Sequence, residues 1–210
     1  KEAGTIAVET VRAPEGRIPS ASNGYAGVVL SGSKTRIAES APWIQREMDF
    51  IRQLHDLKIP TLGICYGEQL IVRSLAGEKY TGVAKTPEHG WVELHLNPEG
   101  EKSDLLQGLP KVFYSYQAHN DEVYSLPQEF RLTASSTDCG VQAYDVIGAP
   151  MWGLQFHPER GLEEGNQSLD RKMKEDPSFR AINRENSEKL FSREVGRRIF
   201  VNFVKLVLAA

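Results

Sequence analysis

The 210-residue sequence contains only two cysteines, Cys65 and Cys139, too few for the disulfide framework that holds small secreted proteins together. No apolar run approaches the roughly 18 residues of a membrane-spanning helix, and no stretch has the pattern of a signal peptide. Internal repeats and low-complexity tracts are also missing. These absences predict a protein of a reducing, cytoplasmic setting without membrane attachment.

An excess of charge of one sign is missing as well. The chain has 25 basic and 28 acidic residues, with a net charge of −3, so nothing in its charge favours binding to nucleic acid or to an anionic membrane. His89 and His95 lack the spacing and partners of a metal site, and we predict neither a metal ion nor a cofactor. At about 100–200 residues per domain, the length predicts a single domain over residues 1–210.

One stretch joins a short strand pattern to a helix pattern, and a cysteine stands at the junction. Residues 59–70 read Ile-Pro-Thr-Leu-Gly-Ile-Cys-Tyr-Gly-Glu-Gln-Leu, with Gly63 and Gly67 two residues to either side of Cys65. G-x-C-x-G is the thiol version of the nucleophile elbow, a sharp strand-to-helix turn that exposes the nucleophile. A side chain at either glycine is expected to collide with the neighbouring strand or helix. For this pattern alone, a buried cysteine in an ordinary turn is an equal alternative.

A second motif supplies the groups that a cysteine nucleophile needs. Residues 151–159 read Met-Trp-Gly-Leu-Gln-Phe-His-Pro-Glu and predict a buried strand that ends near His157. A base must take the thiol proton, and a third group must orient that base. His157 and Glu159 suit these two roles because the turn at Pro158 keeps them together. An isolated His-x-Glu is commonly a surface coincidence, but together with the elbow it predicts a triad of Cys65, His157 and Glu159.

Together these segments resemble the class I glutamine amidotransferases, most closely the glutaminase domain of GMP synthetases. The resemblance covers roughly residues 5–159 and a final helix. It implies hydrolysis of glutamine to glutamate and ammonia through a γ-glutamyl thioester, with the ammonia passed to a synthetase domain or subunit, GMP synthesis being one candidate. A nucleotide-binding loop of the form G-x-x-x-x-G-K-[ST] is missing, so the ATP-using half is expected elsewhere. The similar segments are 30–32, 63–69 and 155–159, with weaker similarity at 88–90, 119–123 and 134–143.

The resemblance also implies roles around the triad. The backbone N–H of Tyr66, with one from Gly32 or Ser33, would hold the oxyanion. Gln69 on the helix and His119 in a predicted turn would contact the glutamine substrate; a helical glutamine without a role and a histidine that caps loop backbone are the alternatives. The family usually has glycine where Ser33 stands. Because serine resists the positive φ angles that glycine accepts, we expect this turn not to be preformed.

The pattern of elements predicts a three-layer α/β domain with a mostly parallel central sheet and helices on both faces, as in flavodoxin-like folds. The apolar run 27–30 is typical of a parallel strand that is covered on both faces. Ser40 is the predicted N-cap of a helix with Pro42 in its first turn, and Gly77 is the predicted end of the helix after the elbow. Further strands are predicted at 5–11, 91–96, 112–119, 131–136, 141–146 and 151–157, and a closing helix at 195–206.

Two regions depart from the family pattern. The family begins with a strand and a helix, so residues 1–4 are expected to be the end of that helix, with both elements preceding Lys1 in the working protein. Residues 160–190 form an insertion before the C-terminal helix. In residues 161–190, 13 of 30 side chains are charged, which predicts one or two short surface helices near the site. A solvated surface is the simpler interpretation; a lid or a docking surface for a partner is the other.

Two other functions share these motifs. A free-standing cysteine hydrolase of γ-glutamyl compounds would use the same triad without a synthetase. A family member without activity would keep the fold as a binding module.

Overall fold

Residues 6–210 are described by the computed structural model of this chain, and they contain both parts of the predicted α/β pattern. The strands are β1 (Val28–Leu30), β2 (Thr61–Ile64), β3 (Thr81–Leu96), β4 (Val112–Val123), β5 (Phe130–Ser135), β6 (Ala143–Val146) and β7 (Met151–Leu154). The helices are α1 (Pro42–Asp56), α2 (Tyr66–Ala76), α3 (Leu162–Glu175), α4 (Ser187–Leu190) and α5 (Arg193–Ala209).

The strands form one mixed sheet in the order β1-β2-β7-β6-β5-β3-β4. β1, β2 and β7 run parallel to one another, whereas β7, β6, β5, β3 and β4 pair antiparallel. The predicted three-layer α/β class is confirmed, but the prediction of a mostly parallel sheet was wrong. Short connections without a helix join β5, β6 and β7, and strands connected in this way pair antiparallel because a parallel return needs a longer crossover.

Helices cover both faces of the sheet, as predicted. On one face, α1 and α2 bury Ile44, Ile51 and Leu70 against the strands. On the other, α5 buries Ile199 and Phe203 against β2 and β7. β2 therefore lies between two apolar layers, which explains why its four residues are all buried. The end of β2, and the elbow that follows it, therefore lie in a part of the sheet that is packed on both faces.

Several local predictions need correction. The predicted strand 5–11 is absent over residues 6–11, which adopt no regular structure, and residues 1–5 lie outside the described part of the chain. Helix α1 has Ala41 rather than Ser40 at its N-cap, without a side-chain cap. β7 ends at Leu154, three residues earlier than predicted, and β6 begins two residues later. The predicted turn around His119 does not exist, because β4 continues to Val123 and pairs there with β3.

The insertion 160–190 forms surface helices, as predicted, and packs on the outer strands. Leu169 of α3 is fully buried with Trp91 and Tyr116. The backbone of Ile182 pairs with β3, where it lies so close to Gly90 that a Cβ there would be 2.1 Å from the Ile182 oxygen. Across residues 6–210, none of the helices has the length and apolarity needed to cross a membrane.

Candidate active site

Cys65 lies on a strained turn between β2 and α2. Its φ of 52° and ψ of −108° fall outside the regions that L-residues favour. The two flanking glycines have the steric role predicted for them. A Cβ on Gly63 would lie 2.7 Å from the backbone of α2, and one on Gly67 would lie 2.3 Å from the Leu30 oxygen of β1. The backbone N–H of Cys65 donates to Leu154 O of β7 at 2.7 Å, which fixes the turn against the neighbouring strand.

His157 follows β7 and is held beside the elbow by backbone and side-chain contacts. Its N–H donates to the Tyr116 oxygen of β4 at 2.8 Å, and its Nδ1 lies 2.7 Å from Oε1 of the exposed Glu159. Burial alone lowers the pKa of His157, but the neighbouring Cys65 sulfur and the Glu159 carboxylate outweigh burial and raise it to about 9. At neutral pH the imidazole is therefore largely protonated.

The Nε2 of His157 is the ring atom left free for chemistry. It is buried and has no hydrogen-bond partner within residues 6–210. Gly32 lies beside both side chains, since a Cβ there would be 2.9 Å from Cε1 of His157 and 3.5 Å from Cβ of Cys65. The sequence-predicted nucleophile, base, orienting carboxylate and oxyanion glycine are thus in one place, although 125 residues separate Gly32 from His157.

The other two oxyanion candidates flank this group. Tyr66 is the first residue of α2, so its backbone N–H has no acceptor within the helix. Ser33 does not adopt a positive φ; its hydroxyl accepts a hydrogen bond from Thr35 N at 3.1 Å. The Ser33 hydroxyl thus stabilises a turn in which residue 33 does not take a positive φ. Donation to an oxyanion by these residues stays a prediction.

Gln69 is buried below the elbow and is bonded within the protein. Its Nε2 donates to the backbone oxygen of Asp121 at 2.9 Å and to Oε1 of Gln155 at 2.8 Å. Both amide hydrogens are therefore engaged, and only its carbonyl could receive a substrate group. Direct substrate contact by Gln69 stays a prediction.

His119 lies in a buried polar cluster on β3 and β4 rather than on a loop. Its Nδ1 is 3.0 Å from the backbone oxygen of Asp121, and its Nε2 is 3.0 Å from Oε2 of Glu88. Because a carbonyl only accepts, Nδ1 carries a proton, and the Nε2 contact requires a second proton on either the imidazole or the carboxyl group. The predicted contact of His119 with substrate stays a prediction.

Cys139 completes a set of three metal-ligand types with Glu88 and His119, with one ligand atom of each within 4.8 Å of the others. The Glu88 carboxylate also accepts from Ser136 at 2.7 Å and from Gln142 at 2.6 Å. Burial raises the pKa of the Cys139 thiol, and that thiol donates to a backbone oxygen. The atoms that could bind a metal are thus already engaged in hydrogen bonds, and a structural role explains the cluster.

Sequence reasoning missed three polar residues close to the elbow. Arg36 and Asp121 form a bidentate ion pair beneath the 31–40 segment. Glu68 is completely buried, and neither of its carboxyl oxygens has a partner within residues 6–210. Burial, with added repulsion from Cys65 and Glu122, raises the pKa of Glu68 well above its usual value. No sequence signal identifies them, since each depends on chain segments that are distant in sequence.

Comparisons with known proteins agree on one family. The family model described as "Glutamine amidotransferase class-I" matches residues 3–174. The chain is 37% identical over 146 residues to the GMP synthase [glutamine-hydrolyzing] of Streptococcus mutans, covering 68% of this chain but only 26% of that protein. It is 34% identical over 144 residues to a separate GMP synthase [glutamine-hydrolyzing] subunit of Methanocaldococcus jannaschii, covering 68% of this chain and 70% of that protein.

Solved structures share the fold. A glutamine amidotransferase from Methylobacillus flagellatus matches with a TM-score of 0.79 at 20% identity, over 94% of this chain and 84% of the other. One from Thermotoga maritima matches with a TM-score of 0.76, also at 20% identity and with the same coverage.

Proposed function

Because the chain belongs to the class I glutamine amidotransferases, we propose that it hydrolyses the side-chain amide of glutamine with Cys65, His157 and Glu159 as its triad. One observation carries this proposal. Cys65 on its strained elbow and His157, which is bonded to Glu159, both lie beside the backbone of Gly32, where an added Cβ would be 3.5 Å from Cβ of Cys65 and 2.9 Å from Cε1 of His157. Such a nucleophile, base and orienting group, with a backbone N–H beside them, are the parts that acyl transfer requires.

In the first half-reaction, the Cys65 sulfur, whose proton Nε2 of His157 accepts, attacks the amide carbon of glutamine, and the carbonyl electrons move onto oxygen. The N–H of Tyr66 and one from Gly32 or Ser33 stabilise that oxyanion. His157 then gives its Nε2 proton to the leaving nitrogen as the C–N bond breaks. Ammonia departs and a γ-glutamyl thioester remains. Glu159 holds the imidazole through Nδ1 and stabilises its charged form.

In the second half-reaction, water attacks the thioester carbon while Nε2 of His157 takes a proton from it. The C–S bond breaks, and glutamate leaves. The thiolate and imidazolium are then restored. Gln69 and His119 are included as residues that shape the glutamine site, supported by their common contact with the Asp121 backbone.

The relatives suggest where the ammonia goes. The chain spans about a quarter of the Streptococcus GMP synthase, and it spans most of the separate glutamine-hydrolysing protein of Methanocaldococcus. We propose that the ammonia is passed to a synthetase domain or subunit, with a GMP-forming synthetase as the first candidate. Residues 1–210 would act as one glutaminase domain, a proposal supported by the single sheet that runs through it.

The decisive experiment compares two cysteine variants. Cys65→Ala should lose glutamate and ammonia release and should no longer form a thioester that intact-mass measurement can detect. Cys139→Ala removes the other buried cysteine and should retain activity. Cys65→Ala activity above a few per cent of the parent would refute the assignment. Changing His157 should be nearly as severe, and Glu159→Gln milder, because an orienting group contributes less than a base.

The same assay separates the rival functions. Turnover of γ-glutamyl peptides in preference to glutamine, unaffected by a GMP-forming synthetase, would favour the free-standing hydrolase. Absence of any turnover, together with failure of a glutamine-like electrophile to label Cys65, would favour the binding module.

A further inference from the structure

Residues 31–40 connect β1 to α1 and carry the candidate oxyanion donors Gly32 and Ser33. They form no helix or strand, so side-chain contacts must hold them in place. Ile37 is buried among apolar residues of the core. Arg73 of α2 donates to the backbone oxygens of Ile37 and Glu39. These contacts anchor the distal half of the segment.

A second set of contacts ties the segment to β4. Nε and Nη2 of Arg36 donate to the two carboxylate oxygens of Asp121, at 2.8 and 2.5 Å. The Ile37 N–H donates to the same carboxylate at 2.9 Å. The Asp121 side chain is only 7% exposed. Burial alone raises the pKa of Asp121, but the bonds from Arg36 and Ile37 outweigh burial and hold it below its usual value. The carboxylate is thus charged, and all three donors converge on it.

β4 also positions the catalytic base. The Tyr116 oxygen of this strand accepts the His157 N–H, and the Asp121 oxygen accepts from Gln69 and His119. One strand therefore holds the histidine near its middle and the 31–40 segment near its end. A fixed distance between these two attachment points would keep Gly32 aligned with the reacting atoms.

We propose that Arg36 and Asp121 are positioning residues, whose bridge holds residues 31–40 so that a backbone N–H of Gly32 or Ser33 faces the oxyanion. This inference rests on the proposed glutaminase function. The Ser33 hydroxyl holds only the local turn through Thr35, whereas the Arg36 bridge ties the segment to β4, the strand that also holds His157. The proposal includes no contact of the Arg36 or Asp121 side chain with the substrate.

The test uses Arg36→Gln, Arg36→Lys and Asp121→Asn, with a matched control from the insertion. Arg184 and Asp170 form a bidentate pair with both distances at 2.8 Å, remote from the oxyanion segment in sequence. Arg184→Gln and Asp170→Asn therefore remove a bidentate ion pair of the same kind, at a position where the carboxylate is more exposed than that of Asp121. For each variant, kcat and KM for glutamine, the rate of Cys65 alkylation by iodoacetamide and hydrogen exchange of residues 31–40 are measured.

We expect kcat to fall about 10- to 100-fold in Arg36→Gln and Asp121→Asn, since complete loss of an oxyanion donor costs about 10²–10³. Alkylation of Cys65 needs no oxyanion donor and should change less than twofold. Exchange of residues 31–40 should accelerate at least tenfold. Arg36→Lys should lie between, because lysine keeps the charge but not the planar fork. The two control variants should match the parent in every measurement.

Three results would overturn the positioning role. Unchanged kcat despite faster exchange would show that the bridge does not serve catalysis. A rise in KM alone would make Asp121 a substrate contact, and an equal loss of alkylation would indicate general damage to the site. A parent chain without glutaminase activity would refute the proposed function itself. Unchanged exchange of residues 31–40 in Arg36→Gln would then independently refute the bridge.

Discussion

Replacing Cys65 by glycine and by alanine would measure the strain at the elbow. Both variants lose the sulfur, so the contribution of the buried thiol cancels when they are compared. At an ordinary position, glycine is less stable than alanine by about 0.5–1 kcal/mol, because it loses more backbone freedom on folding. At φ 52° and ψ −108°, alanine should carry about 1–3 kcal/mol of strain that glycine avoids. The glycine variant should therefore be the more stable of the two, by about 1 kcal/mol.

The assay is equilibrium urea unfolding at pH 7 in a reducing agent, followed by the fluorescence of the three tryptophans. Ser74, in the same helix that follows the elbow, supplies the control. Ser74→Gly should be less stable than Ser74→Ala by about 1 kcal/mol, the usual cost of glycine inside a helix. The order of stability at residue 65 should thus be the reverse of that at residue 74. If alanine is the more stable at both positions by the same amount, the elbow is not strained and the reasoning fails.

Three further outcomes are expected. The pKa of His157 rises from 6.5 to about 9 on folding. In urea titrations, the difference in unfolding free energy between the parent and His157→Gln should therefore be greatest below pH 6.5 and should fall as pH rises through about 9. A difference that does not change with pH would contradict this. Burial and Lys172 lower the pKa of His89 to about 4, so the parent should lose stability relative to His89→Gln as pH falls from 6.5 towards 4. If the unfolding free energies of the two proteins change in parallel over this pH range, the expectation is wrong. Gly90→Ala should lower the free energy of unfolding by about 3 kcal/mol and speed hydrogen exchange in residues 176–186, because backbone strain and the loss of two hydrogen bonds to Ile182 combine. Gly161→Ala, with open space around residue 161, should change the free energy of unfolding by less than about 0.5 kcal/mol. Equal effects of the two variants would refute the close packing of Ile182 against Gly90.

The sequence could indicate the elbow because its chemistry is local. Gly63 and Gly67 fall within two residues of Cys65, and a Cβ on Gly63 would collide with the backbone of Gly67 and Glu68 just along the chain. The collision at Gly67 is with Leu30 of β1, which the motif predicts only as a neighbouring strand. His157 and Glu159 are likewise neighbours, so the turn at Pro158 brings them together whatever the rest of the fold does. The closing helix was also predictable from the spacing of Val195, Ile199 and Phe203. Motifs that occupy a few consecutive residues carry their geometry with them.

Other features depend on which strands become neighbours. The antiparallel direction of β5, β6 and β7 follows from their short connections, but the position of β3 and β4 beside β5 is not encoded in the apolar runs. The sequence predicts a turn at His119 because polar residues follow it, but β4 continues there and pairs with β3, and His119 is buried against Glu88. Consecutive polar residues usually indicate exposure to solvent. Nothing in the sequence shows that the opposite strand supplies hydrogen-bond partners for them.

By itself, the sequence determined the nucleophilic turn, the His-Pro-Glu pair and the α/β class, since each is set by steric or periodic rules that act within a single segment. Only the tertiary structure brought Gly32 against His157, joined Arg36 to Asp121 across 85 residues and buried Glu68 where residues 6–210 offer its carboxyl group no hydrogen-bond partner. These contacts arise when β1, β4 and β7 take their places around β2. Their energies depend on burial and on the charges nearby, and both exist only once distant segments have packed together.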